Sequence, residues 1–410
     1  MAKHDGPIVI TGMGAVSPFG LGVEAFWSAL KQGERPIAAL EQDAQPVPGL
    51  KVRGWQPADL LGKRGLQYLH PSAQFLLGAS QLALQQADLA DGKTNPDELG
   101  VTIGCNLVGL QAISDYDYTA IVEGPRYVSP MEAPNTLANA PASHLAIRLK
   151  ARALNTTIAS GQCAGLDALG YAAKAVREGR ARQVIVGGVE ELSPAVLWIY
   201  RNSKIVSGKH MENVGRPFDL ESTGWLPSEG AAVAVLERKE DTLTRGARPL
   251  AELVGWSSAF APSQTFEQRS RVLERAARQA LDTAGLVPED VDVVIAGASG
   301  LREQDQAEAL ALHNLLMNNP RASVTAIKGT LGETYGASGL FQALAAICMM
   351  NYGIIPPTTE RKRPYPATLF FNGLLTEARV WPESRHGTTL LLTQDLFGST
   401  SAVVLRGCQE

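Results

Sequence analysis

Nothing in this chain is concentrated enough to act as a covalent or membrane device. Four cysteines (Cys105, Cys163, Cys348, Cys408) are scattered through 410 residues, and none forms a Cys-x-x-Cys pair. Sparse, unpaired cysteines exclude a disulfide framework or a cysteine-based zinc site, and predict reduced thiols of a cytoplasmic protein with no metal. No apolar run approaches the roughly 20 residues needed to cross a bilayer. The opening Met1-Ala-Lys-His-Asp-Gly-Pro7 lacks the apolar core of a secretory signal and runs straight toward a strand. No charge of one sign dominates: 37 Lys and Arg face 41 Asp and Glu, a net charge of −4. That balance argues against nucleic acid as a main partner and gives no reason to invoke a membrane. No low-complexity linker interrupts the chain.

What is present is ordinary globular composition, 45% hydrophobic and 19% charged with 40 glycines. A chain of this size buries roughly three quarters of its unfolded surface and needs no staples. Length alone would give two or three domains. The order of elements instead reads as one plan used twice, over residues 1–250 and 251–410. Near Ala87-Asp-Leu a helix ends and Asp97-Glu-Leu-Gly-Val-Thr-Ile-Gly104 follows as a buried strand; near Ala284-Gly-Leu the same happens, followed by Glu289–Gly297. A second echo is stronger. Thr156-Thr-Ile-Ala precedes Ala164-Gly165-Leu166 and a helix to about Glu178. Val324-Thr-Ala-Ile-Lys328 precedes Ser338-Gly339-Leu340 and a helix to about Tyr352. Both helices are alanine-rich, almost without charge in their first turns. A helix apolar nearly all round is buried on all sides, which places these two between sheets. Ile8-Val-Ile-Thr, Gln183-Val-Ile-Val and Ala231–Leu236 read as further strands. Val23, Phe26, Trp27 and Leu30 share one helix face. The proline-rich stretch 354–366 reads as a surface loop.

The stretch Asn155–Gly170 carries the chemistry. A β-branched run leads into Ala-Ser-Gly-Gln162-Cys163-Ala-Gly-Leu and then a helix. Backbone N–H groups and the dipole at such a helix start favour a thiolate. The residue at the head of the turn is Gln162, and an amide cannot accept an acyl group as a nucleophile.

The stretch resembles the active-site turn of β-ketoacyl synthases, where cysteine lies three residues before Gly-Leu. The resemblance runs along essentially the whole chain: Ile10-Thr-Gly-Met-Gly-Ala-Val-Ser-Pro18 at the start, Arg216-Pro-Phe-Asp219 and Ser228-Glu-Gly-Ala231 mid-chain, Ile354-Ile-Pro-Pro-Thr and Phe397-Gly-Ser-Thr400 near the end. It implies an α/β thiolase fold, a duplicated five-layer α-β-α-β-α arrangement, with interface and cap insertions in the first half.

Active family members use Cys, His and His, with a Lys near the second His; the imidazoles assist decarboxylation and stabilise the enolate oxygen. Gln162 stands at the cysteine position. Gly297 stands at the first histidine, with Asp305 and Glu308 at the family spacing. Glu333 stands at the second, five residues after a retained Lys328. The six histidines of the chain (His4, His70, His144, His210, His313, His386) lie elsewhere and read as surface or packing residues. No catalytic residue is therefore expected. The run Gln162-Cys-Ala-Gly-Leu-Asp-Ala-Leu-Gly170 is similar to the chain-length factors, or KSβ subunits, of bacterial type II polyketide synthases.

That branch implies a non-catalytic subunit paired with a catalytic ketosynthase (KSα) as a heterodimer, and shaping the tunnel that controls chain length. It implies no cofactor of its own, because the phosphopantetheine of an acyl carrier protein enters through the partner. The resemblance assigns the far end of the tunnel to bulky residues on the helix after Gly109, here Leu110, Ile113 and Asp117, spaced i, i+3, i+7. The competing reading is an active or loading-type, decarboxylating β-ketoacyl synthase. Cys163, rotated about 100° from Gln162 along a helix, reads as an inert buried thiol. Lys328 with Glu333 or Glu308 reads as an ion pair. Gln162 is either a working amide or a filler bonded to nearby backbone. Arg361-Lys-Arg363 is either a solvated loop or a contact for an acidic carrier protein. Phe397 is either a backbone turn beside the pocket or a core aromatic.

Overall fold

The computed structural model describes residues 6–40, 46–90, 92–203, 205–206, 211–262, 265–365, 373–381 and 387–408. His4, His210, His386 and Pro366 lie outside them.

Ten strands carry the architecture. The first half holds β1 (Ile8–Ser17), β2 (Leu99–Gly104), β3 (Leu154–Ile158), β4 (Gln183–Glu190) and β5 (Gly230–Arg238). The second holds β6 (Ala251–Phe260), β7 (Val293–Ile295), β8 (Ser323–Thr325), β9 (Thr389–Gln394) and β10 (Ser399–Gly407). Spatial order in the first half is β3-β2-β4-β5-β1, and in the second β8-β7-β9-β10-β6. These are the same order. The directions also match: β2 is parallel to both its neighbours, as is β7, and the remaining pairs are antiparallel. The two halves join where Ile8, Val9 and Ile10 pair antiparallel with Leu253, Glu252 and Ala251, so hydrogen bonds run through both sheets as one.

Helices fill three layers. Helix α1 (Val23–Gln32) buries Phe26, Trp27 and Leu30 and stops at Gly33, whose φ of 67° closes the last turn. Helices α2 (Pro71–Gln86), α3 (Leu110–Tyr118) and α4 (Ala140–Leu149) precede β3; α5 (Ala164–Arg177) follows it. In the second half come α6 (Phe266–Thr283), α7 (Arg302–Leu315) and α8 (Ser338–Tyr352). One outer core sets α2 and α4 against the first sheet. Another sets α6 and α7 against the second. Between them α5 and α8 touch both sheets. This is the five-layer thiolase plan.

The middle layer explains the alanine-rich helices. Every residue of α8 from Ser338 to Met349 is buried. Helices α5 and α8 meet head to head so closely that a Cβ on Gly339 would lie 2.5 Å from Leu166 N, and one on Gly165 3.0 Å from Gly336 O. Only glycine permits that approach. The repeated Gly-Leu pair therefore marks the contact that sets both helix N-termini at the centre of the molecule.

The proline-rich stretch departs from the expected surface loop. Ile355, Pro356 and Thr358 are buried. Thr325 Oγ1 donates to Pro356 O at 2.8 Å, and Ala326 N–H donates to Thr358 Oγ1 at 3.0 Å. Proline cannot donate to a ladder, but its carbonyl can accept, and the segment uses that to cover β8. The exposed part is Glu360 with Lys362, Arg363 and Pro364, and Tyr365 turns back into the core.

Candidate functional site

The site lies where the two central helices begin. Ser160 and a short turn Gly161–Cys163 lead from β3 into α5. Gln162 and Cys163 are both buried there, at 1% and 0% exposure. Lys328 opens a one-turn helix after β8, and Glu333 follows it, just before α8. Gly297 sits beyond the end of β7.

The structure brings Gln162, Glu333 and Lys328 into direct contact. Gln162 Nε2 donates to Glu333 Oε2 at 2.6 Å, and Lys328 Nζ donates to the same oxygen at 2.9 Å. Glu333 Oε1 accepts Tyr335 N–H at 2.9 Å and Ser338 Oγ–H at 2.5 Å. The carboxylate thus has four donors, which is how a charge survives inside a protein. Tyr335 takes a φ of 46°, an uncommon conformation for a bulky residue, and its bond to Glu333 helps hold it there. The Gln162 carbonyl is also engaged: Gln304 Nε2 donates to Oε1 at 3.2 Å. The amide is neither free nor bonded to nearby backbone through its side chain; it is clamped between Glu333 and Gln304. Of the two proposed partners for Lys328, Glu333 makes the ion pair.

Gly297 has been closed over. A Cβ there would meet Leu392 O at 2.8 Å. Its N–H donates to Glu308 Oε1 at 2.7 Å. Burial pushes the Glu308 carboxyl up to about 8, against the opposing pull of Gly297 N–H and Lys328. Glu308 Oε2 and Gln394 Oε1 both lack a donor. Asp305 is pushed up to about 7 by burial, although Phe218, Ser299 and Gly300 N–H groups all donate to it. Glu190, at the end of β4, is pushed up to about 8 by burial while accepting from Asn106, Leu107 and Gly336 N–H.

Cys163 is fully buried, and desolvation raises its thiol far above the usual range. A neutral thiol with no solvent access is no nucleophile. Phe397 is 70% exposed, so it is no core aromatic; its N–H donates to Asp395 Oδ2 at 2.9 Å and fixes the turn between β9 and β10. Asp219 accepts the N–H groups of Lys362 and Arg363 at 2.6 and 3.1 Å, which anchors the basic loop. His70 lies 3.4 Å from Glu132 and His144 3.3 Å from Asn135, away from this site. Among the described residues no group of three or more His, Cys, Asp or Glu is placed to hold a metal ion.

Leu110, Ile113 and Asp117 lie on α3 and do not share one environment. Leu110 is half-buried against a cluster containing Leu197, Tyr200, Trp225 and Tyr335, while Ile113 and Asp117 are exposed. The aromatic rings there pack edge-on, Tyr200 on Trp225 at 5.6 Å and Trp225 on Tyr335 at 5.9 Å. Ser338, from the Ser-Gly-Leu echo, and three residues that the motifs did not single out, Gln304, Gln394 and Asp395, complete the site. Gln394 and Asp395 carry the one available signal, the last two of three polar residues that close the apolar run Leu390-Leu-Leu392.

Fold and site together define a condensing-enzyme scaffold whose reaction centre is packed with polar side chains bonded to one another. Residues 5–242 match the β-ketoacyl synthase N-terminal domain and residues 250–362 the C-terminal domain. The chain belongs to the β-ketoacyl synthase family. It is 32% identical over 418 residues to the actinorhodin polyketide putative β-ketoacyl synthase 2 of Streptomyces coelicolor, covering 97% of this chain and 98% of that one. It is 31% identical over 406 residues to the putative polyketide β-ketoacyl synthase 2 of Streptomyces halstedii, covering 97% and 96%. Among solved structures, the ishigamide ketosynthase/chain length factor superposes with a TM-score of 0.87 at 23% identity, covering 99% of this chain and all of that one. The resemblance to the chain-length-factor branch drawn from Gln162 and its neighbours therefore holds across the whole chain. No helix among the described residues is long and apolar enough to cross a membrane.

Proposed function

We propose that this chain is the non-catalytic partner subunit of a β-ketoacyl synthase pair in type II polyketide assembly, a chain-length factor. In this reading it docks on a catalytic ketosynthase, forms the far end of the growing chain's tunnel, and leaves acyl transfer from the carrier protein to its partner. The observation that carries it is the clamp of Gln162 between Glu333 and Gln304. Of the three positions that would hold nucleophile and imidazoles, Gln162 and Glu333 bond each other, Gly297 bonds Glu308, and all three are buried.

The surface supports pairing. β3 is the outer strand of its sheet and is only partly buried along Asn155–Ile158. The stretch leading to it exposes Tyr118, Ile121, Val122, Met131, Leu137 and Ile147, each more than half accessible. A bare strand edge and a run of exposed apolar side chains in the stretch before it are liabilities for a chain that stays alone. An active or loading-type synthase would need an imidazole and a free amide or thiol in the pocket, and this pocket offers neither.

The test is reconstitution. Co-expressed with a synthase carrying Cys, His and His, the chain should co-purify as a heterodimer. The pair should make polyketide on a carrier protein, all acyl-enzyme being on the partner. Condensation by this chain alone, or acyl groups found on it, would overturn the reading.

A further inference from the structure

Asp395 holds two backbone N–H groups that converge on the degenerate pocket. Gln162 N–H donates to its Oδ1 at 3.1 Å, and Phe397 N–H donates to its Oδ2 at 2.9 Å. Gln162 sits at the N-terminal side of a buried helix, so its N–H carries the positive end of that helix's dipole. Two such donors, one on each oxygen of a single carboxylate, form a nest for an anion. Here the occupant is the protein's own carboxylate, itself buried at 3% exposure.

The seat is built for it. Gly161 has a φ of 65°, and a Cβ there would lie 1.9 Å from Asp395 Oδ1. The carboxylate presses against the backbone where any other residue would put a side chain. From the other side Arg269 fixes the turn, donating to the carbonyls of Asp395 and Leu396 at 3.1 and 2.6 Å. Asp395 N–H closes the turn on Ser399 O at 2.7 Å.

We propose that Asp395 is a built-in plug: its carboxylate fills the nest made by the Gln162 and Phe397 N–H groups and closes the pocket to acyl carbonyls and carboxylates. Loss of the nucleophile and occupation of the nest are then separate devices. The first removes the covalent step; the second removes the polarising contact that would seat a thioester or malonyl group. The plug stands whether or not the chain pairs with a catalytic subunit, since both ends of each bond belong to this chain.

The test is chemical rescue in the full chain. Asp395→Ala deletes the carboxylate and leaves a space that formate fits. Its melting midpoint should rise saturably with sodium formate, by about 2 °C beyond sodium chloride at equal ionic strength. The parent should melt identically in both salts. An equal response of Asp395→Ala to both salts, or a matching formate response in the parent, overturns the plug. If Asp395→Ala does not accumulate folded, the yield on refolding from denaturant reads the same thing: higher in formate supports the proposal, equal yields overturn it. Gly161→Ala adds an independent reading. Its backbone strain is the same in both backgrounds, but its Cβ collides only with the carboxylate. It should therefore lower the midpoint of the parent more than that of Asp395→Ala, and equal lowering would contradict the seat described.

Discussion

Gln162 and Glu333, 171 residues apart in the chain, share a hydrogen bond of 2.6 Å in the centre of the molecule. In the proposed reading, the same two positions of a catalytic partner would hold a nucleophile and an imidazole. Here they neutralise each other's demands: the amide supplies a donor to a buried carboxylate, and the carboxylate, with Lys328, fixes the amide. Both side chains are buried, at 1% exposure each.

A double-mutant cycle follows from that. Lys328→Met leaves Glu333 as a buried charge without its cation, and should destabilise the chain by about 3–5 kcal/mol. Glu333→Gln, which strands the ammonium instead, should cost a similar amount. The double variant should lose much less than the sum, because no charge is then left unpaired. Urea midpoints of the four proteins measure the coupling, and simple additivity would show that the pair does not act as a unit.

Cys163 should be chemically silent. Its thiol is buried on all sides and held protonated by desolvation. Incubation of the native chain with iodoacetamide should leave Cys163 unlabelled by peptide mass spectrometry until the protein is unfolded. Cys163→Ala should leave the condensation rate of a reconstituted pair unchanged within about twofold. Acylation of Cys163 from a thioester donor would contradict both statements.

Glu308 gives a pH dependence with a definite sign. Its folded pKa, about 8, lies above the ordinary carboxylate value. Between that ordinary value and 8 the folded state binds the extra proton, so stability falls as pH rises through this window, by at most about 1.4 kcal/mol per pH unit for one group. Glu308→Gln mimics the uncharged form and keeps an oxygen that can accept the Gly297 N–H. The variant should match the parent near pH 5 and exceed it at pH 9. Melting midpoints across that range check this, and parallel curves would contradict it. Glu190, also near 8, contributes a slope of the same sign that remains in the variant.

What the sequence showed and what it hid divide along chain separation. Gly165 and Gly339 were legible because each begins a buried helix and the two segments echo each other. Gln162, Gly297 and Glu333 were singled out because each falls at a fixed offset within a local motif. Asp395 was not. Its partner Gln162 lies 233 residues away, and no periodicity links a turn after β9 to the head of α5. Gln304 was hidden for the same reason, 142 residues from the amide it holds. Pro356 misled because proline reads as a loop signal, whereas its carbonyl and not its nitrogen is what the sheet edge uses.

Assembly should depend on the edge formed by β3. Expressed without a partner, the chain should self-associate or precipitate, because β3 and the apolar residues before it stay uncovered. Ile121→Lys with Ile147→Lys should improve its solubility alone and abolish co-purification with a catalytic synthase. Sedimentation velocity distinguishes the cases; a stable, well-behaved monomer of the parent would count against an obligate partner.

The last expectation concerns chain length, and the structure sharpens which of the three α3 residues should matter. Leu110 packs inward on the cluster that ends at Tyr335, and Tyr335 is bonded to Glu333. Ile113 is 39% exposed and Asp117 also faces outward, so both meet whatever covers this face. If a partner's tunnel ends here, Ile113 is the side chain that touches its contents, and Leu110 sets how far α3 stands from the core. Asp117 at the rim keeps its carboxylate wet and avoids the several kcal/mol of burying it. Ile113→Gly in the reconstituted pair should therefore lengthen the product by at least one extension unit. Leu110→Gly should do so less cleanly, because it also opens a cavity of the kind that costs about 2–5 kcal/mol. Leu110→Trp should push α3 outward and shorten the product. Mass spectrometry of the product lengths reads all three, and unchanged lengths at comparable yield in every variant would place the end of the tunnel elsewhere.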